Sequence, residues 1–163
     1  MAACKATTCS RTALRRRVGL LLVVGVLRVV GHAPSATADD SKSSPAFVVV
    51  AHPKVPVASA SSGLLTDVFL KRRTRWEDGE KVYPVDLKAT SPVRERFSQS
   101  VLKRSVAAVR NYWQQRIFSG RALPPPELDS EKAVVRYVAN HPGGIGYVGG
   151  DTELAGVKVL SVR

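Results

Sequence analysis

Val82-Tyr83-Pro84-Val85-Asp86-Leu87, then Lys88-Ala89, then Thr90-Ser91-Pro92-Val93-Arg94, is the stretch on which the fold turns. The first six residues read as a strand. The last five read as a helix start, with Ser91 as capping hydroxyl and Pro92 at the first helical position, where a missing N–H costs nothing. Val93, Phe97, Val101 and Leu102 then recur at the spacing of a buried helical face. A strand that feeds a helix is the repeating unit of an α/β fold.

Working outward, the same alternation continues on both sides. Upstream, Ala46 to Ala51 is a short Val-rich run closed by His52-Pro53, the pattern of a buried strand. Leu64-Leu65 and Val68-Phe69 follow with helical spacing, and Glu77-Asp78-Gly79 makes a turn. Downstream, Ser105 to Phe118 reads as a helix with Val106, Val109, Trp113 and Ile117 inward and Gly120 closing it. Tyr112, Trp113 and Phe118 are expected to pack the core rather than to stack on a ligand. Pro124-Pro125-Pro126 is a rigid linker, and Ser130 opens a third long helix that stops before His141-Pro142. Ile145–Val148 and Val157–Val162 read as further strands.

The first 38 residues follow a different plan. They hold six of the 25 basic residues and none of the 13 acidic ones. Arg15-Arg16-Arg17 precedes an apolar run from Val18 to Leu27, and Ala36-Thr37-Ala38 stands before Asp39-Asp40. That is the three-part pattern of a secretory signal with cleavage after Ala38. A membrane span needs about 20 apolar residues, and Arg28 interrupts this run. The expected organisation is a signal peptide over 1–38, a flexible leader over 39–45 and one domain over 46–163, periplasmic or secreted.

Charge and cysteine usage then narrow the function. Past residue 38 the chain carries 19 basic and 13 acidic residues, so half of the overall +12 belongs to the export signal. A nucleic-acid reading loses much of its electrostatic support on that count. Cys4 and Cys9 both precede the apolar run, so the domain has no disulfide, no thiol nucleophile and no Cys-bound metal. His52 and His141 stand apart, without the spaced ligands of a metal site. Gly144-Ile145-Gly146-Tyr147-Val148-Gly149 has the spacing of a dinucleotide loop, but a helix precedes it and the stretch itself reads as strand, so the match is accidental. Lys71-Arg72-Arg73-Thr74-Arg75, beside Trp76, reads as a solvated turn. Nothing in these motifs calls for an enzyme or a cofactor.

Three passages in order carry a family likeness. They are Leu64-Leu65-Thr66-Asp67-Val68-Phe69-Leu70 leading through basic residues to Trp76-Glu77-Asp78-Gly79; the strand and Ser/Thr turn from Val85 to Phe97; and Asn140-His141-Pro142-Gly143-Gly144-Ile145-Gly146-Tyr147-Val148. Together they resemble the phosphate-type periplasmic solute-binding proteins of ABC transporters, over residues 46–149. The resemblance implies an α/β domain with a mostly parallel sheet flanked by helices, equivalent to one lobe of such a protein. It implies a phosphate-like oxyanion held at the helix start by Thr90 and Ser91, and Arg94 is offered beside them on geometry. A transporter permease or another envelope protein is the implied partner. The family's Gly-Ser-Gly-Thr turn is absent here, and Pro92 removes one N–H. The alternative is therefore an envelope interaction module of the same fold that has lost solute binding.

Overall fold

Val49, Val50 and Ala51 have no exposed surface at all, which places their strand, β1 (Val48–Ala51), at the middle of the structure. In this computed structural model residues 46–163 are described; the expected signal segment, its cleavage point and the leader lie outside the described residues. After β1 come β2 (Ser59–Ala60), α1 (Ser62–Phe69), β3 (Tyr83–Pro84), β4 (Asp86–Leu87), α2 (Pro92–Ser100) and α3 (Val106–Phe118). The chain continues through β5 (Glu127–Leu128), α4 (Glu131–Asn140), β6 (Gly144–Val148) and β7 (Lys158–Val162).

The five-stranded sheet has the order β2-β7-β1-β6-β3. β1 runs antiparallel to both neighbours, with Val48 opposite Val148 and Val49 opposite Leu160. The outer pairs, β2 with β7 and β3 with β6, are parallel, as is the separate pair β4 with β5. The α/β class with flanking helices stands; the sheet is mixed, with its antiparallel ladders at the centre. The expected single strand over Val82–Leu87 divides after Pro84, so that β3 joins the large sheet and β4 joins β5.

Among the described residues, all four helices begin on a serine. Ser61, Ser91, Ser105 and Ser130 each accept a hydrogen bond from the N–H three residues on, satisfying one of the donors that a helix start leaves unpaired. α1 ends on Lys71 at φ 50, a left-handed position usually given to glycine. Gly120, at φ 66, closes α3 as expected.

An aromatic cluster binds α1 and α2 to the sheet. Phe97 stacks on Tyr147 with ring centroids 3.8 Å apart, and Phe69 lies against both rings. Such ring pairs are worth roughly 0.5–1.5 kcal/mol each beyond their buried area. The glycines of the dinucleotide-like stretch serve packing. A Cβ on Gly146 would lie 2.6 Å from Val134 Cγ1 of α4 and 2.9 Å from Val85 Cγ1. Only glycine lets α4 approach β6 this closely.

Two core expectations need correction. Phe118 is 90% exposed and Ile117 46% exposed. The apolar stripe of α3 is correctly read through Val109 and Trp113, both buried, but the helix then runs past the body beneath it.

Candidate functional site: the start of helix α2 and its groove

β4 delivers the chain to a turn at Ala89-Thr90, and Ser91 caps α2. Ser91 Oγ accepts from the Arg94 N–H at 3.4 Å. The first helical N–H groups have no acceptor within the helix and carry its positive end; Pro92 contributes none. Thr90 is exposed and Ser91 half-buried. A groove of about 300 Å³ opens beside this turn, lined by Pro92, Val93 and Arg96 on one side and Glu131 and the loop Gly149–Thr152 on the other. Glu131 holds that loop in place: its Oε2 accepts from the Gly149 N–H at 2.7 Å and from the Thr152 hydroxyl.

Arg94 does not face the groove. Its side chain turns inward and is 4% exposed, with Nη2 3.0 Å from Asp86 Oδ2 and Nη1 2.8 Å from Glu127 Oε1. Nη1 also donates to the Leu87 carbonyl. Asp86 accepts in addition from the Leu87 N–H and from the Tyr147 hydroxyl. Burial pushes the Asp86 carboxyl above its ordinary range, opposed by Arg94, Tyr147 and the Leu87 amide. Burial, and then the Asp86 charge, push the Tyr147 phenol up, so it stays protonated and donates. This network joins β4, α2 and β6 in the interior and reaches the surface at Glu127 of β5. Arg96, exposed on the same helix, is the arginine that lines the groove; the sequence carries no signal to choose between the two beyond helical phase.

Of the expected site residues, Thr90 and Ser91 precede Pro92 in the chain but do not themselves line the groove, and Arg94 is turned away from it. The two histidines are engaged locally. His52 Nδ1 accepts from the Lys54 N–H, and His141 stacks on Tyr137 with centroids 4.0 Å apart. Among the described residues no cluster of three His, Cys, Asp or Glu is placed to hold a metal.

No protein-family model matches this sequence, and no curated protein matches it. Solved structures do. The domain has the α/β fold of the substrate-binding proteins of phosphate ABC transporters. It is similar to an ABC-type phosphate transport receptor from Vibrio cholerae (TM-score 0.56, 16% identity), covering 72% of this chain and 46% of that one. It is similar to PstS from Borrelia burgdorferi (TM-score 0.54, 16% identity), covering 72% and 47%. A Clostridium perfringens structure, assigned as a phosphate ABC transporter substrate-binding protein and holding bound phosphate, matches at TM-score 0.57 and 15% identity, covering 72% and 44%. The chain spans less than half the length of these structures. At such identities the likeness is one of fold. Among the described residues no helix is long and apolar enough to cross a membrane.

Proposed function

We propose that this is an exported, non-enzymatic oxyanion-binding lobe, taking phosphate or a similar anion at the start of α2. The observation that supports it is the groove lined by Pro92 and Val93 of the first turn of α2, by Arg96 and by the Gly149–Thr152 loop, in a fold whose neighbours include one with phosphate bound. Thr90 and Ser91 offer hydroxyls, and the Val93 N–H offers the helix's positive end. Binding uses these neutral donors and Arg96, with no covalent step. Glu131 and Asp151 also line the groove, so an oxyanion that still carries a proton fits better than a fully ionised one. Phosphate meets that condition near neutral pH and sulfate does not. Export rests on the pattern of residues 1–38, and mature protein recovered from an envelope fraction should begin at Asp39.

A second reading has its own support. Ile117, Phe118 and Leu123 expose large apolar surface, and Arg94 is spent on internal ion pairs. Those features suit an interaction module that docks a permease or another envelope protein.

Phosphate titration of wild type and Ser91→Gly separates the two. Glycine keeps most of the capping, at a cost of a few tenths of a kcal/mol, and deletes the hydroxyl. Weaker binding by an equally stable Ser91→Gly protein supports anion capture. Wild type that shows no saturable binding at millimolar phosphate favours the interaction module.

A further inference from the structure

A second cavity, of about 390 Å³, lies at the other end of the sheet. It opens where β3 begins, at Tyr83, whereas the α2 groove lies past the last residue of β6. The five residues of β6 hold the two on the order of 15 Å apart. Its walls carry three cations, Lys71, Arg73 and Lys81, and no carboxylate. Tyr83, Tyr137 and Leu123 are among the residues that line the rest.

Only one of these charges has a carboxylate neighbour. Arg73 has one exposed partner, Glu77, at 3.6 Å. Among the described residues, Lys71 and Lys81 have no carboxylate within ion-pair distance. Lys71 donates to the Pro124 carbonyl at 3.2 Å, and Lys81 sits 5.1 Å from the centre of the Tyr83 ring. Burial, and then the Lys81 charge, push the Lys71 ammonium below its ordinary range. Lys71 also holds a left-handed backbone at the end of α1, where glycine would fit with less strain. A lysine in a left-handed backbone position, lining the same cavity as a second lysine whose charge acts on it, is costly for folding alone. An anion between the two would offset that cost.

The walls also say what kind of anion. A volume near 400 Å³ belongs to the range of organic-ligand sites and is far more than a bare oxyanion fills. Leu123 is 70% exposed, and two aromatic rings stand beside it. We propose that this cavity binds an organic phosphate monoester, its dianion between Lys71 and Lys81 and a compact aromatic or apolar body against Tyr83, Tyr137 and Leu123. The site is independent of the α2 groove and of the function proposed for it.

The test is titration of the full chain with phenyl phosphate, beside inorganic phosphate and phenylacetate. Lys71→Gly removes the charge while relieving the left-handed backbone, so it should fold at least as well as wild type. Lys81→Gln removes the second charge. Saturable phenyl phosphate binding is expected, weakened at least about tenfold by either lysine variant and changed less than about twofold by Ser91→Gly. Inorganic phosphate and phenylacetate should each bind this cavity at least about tenfold more weakly. The proposal is overturned if wild type shows no saturable binding at millimolar phenyl phosphate, or if Ser91→Gly abolishes binding while Lys71→Gly retains it. Equal or tighter binding of phenylacetate removes the dianion assignment, and equal binding of inorganic phosphate that is weakened about tenfold by the lysine variants removes the apolar one.

Discussion

Nη2 of Arg94 stands 3.0 Å from Oδ2 of Asp86, with the two side chains only 4% and 10% exposed. A pair this deep gains little net stability over apolar residues of the same shape, because both ions have lost their water. Removing one partner is another matter, since it strands the other charge. The residue whose type and position point to anion binding is thus committed to the interior.

Arg94→Met should destabilise the domain by about 3–5 kcal/mol, the cost of leaving a buried charge unpaired. The double variant Arg94→Met with Asp86→Leu should lose less than Arg94→Met alone. Urea denaturation of the three proteins checks both statements. An unchanged midpoint for Arg94→Met would show that the guanidinium is free to serve a ligand after all.

Trp113 is 5% exposed on α3 and meets Tyr112 edge-on at 5.1 Å. Trp113→Ala should cost about 3–5 kcal/mol through lost burial and the cavity left behind. The companion change Phe118→Ser, on a ring that is 90% exposed, should move stability by no more than about 0.5 kcal/mol. A large loss there would mean that Phe118 is covered in solution.

Gly146→Ala places a methyl group against Val134 and Val85, and overpacking of this kind costs about 1–3 kcal/mol. Gly143→Ala should be worse. Its φ is 80, and a Cβ would stand 2.1 Å from the Lys81 carbonyl oxygen. Thermal unfolding of the two variants should rank them in that order below wild type.

Lys71 makes stability depend on pH in a defined direction. Its folded value is depressed by burial and by Lys81, below an ordinary 10.5. A lowered value means that the folded chain releases this proton first, so its stabilising contribution is present above 10.5 and is lost as pH falls through the folded value. Wild type should therefore gain on Lys71→Met as pH rises through that window. The gain should stay below about 1 kcal/mol, because the ammonium keeps contact with water. A difference between the two proteins that is flat from neutral pH to beyond 10.5 would contradict this.

Most of the elements can be read along the chain because their signals are local. The Ser91-Pro92 helix start, the stop before His141-Pro142 and the Val-rich run at β1 each depend on neighbouring residues alone. What could not be read depends on partners far away. β2 and β5 are two residues long, too short for any periodicity, and exist only because β7 and β4 lie beside them. Pro84 was the available clue that the Val82–Leu87 run is interrupted, since proline cannot donate within a ladder. For the site, the serine cap was legible and the fate of the arginines was not. Arg94 and Arg96 look alike in sequence, and only the buried carboxylate of Asp86 decides which one turns inward.

The place of β1 has a consequence for when the domain can form. This strand leads the described chain, yet it is zipped between β6 and β7, which follow only after four helices. Its ladders therefore close some of the largest loops in the molecule, and pairings so distant along the chain slow folding. As the polypeptide emerges from its N-terminal end, the Val48–Ala51 segment must wait unpaired while nearly everything else is made. The sheet cannot assemble early. A chain that stays open until its last strands arrive remains threadable through a narrow channel, a delay that accords with the export proposed from residues 1–38.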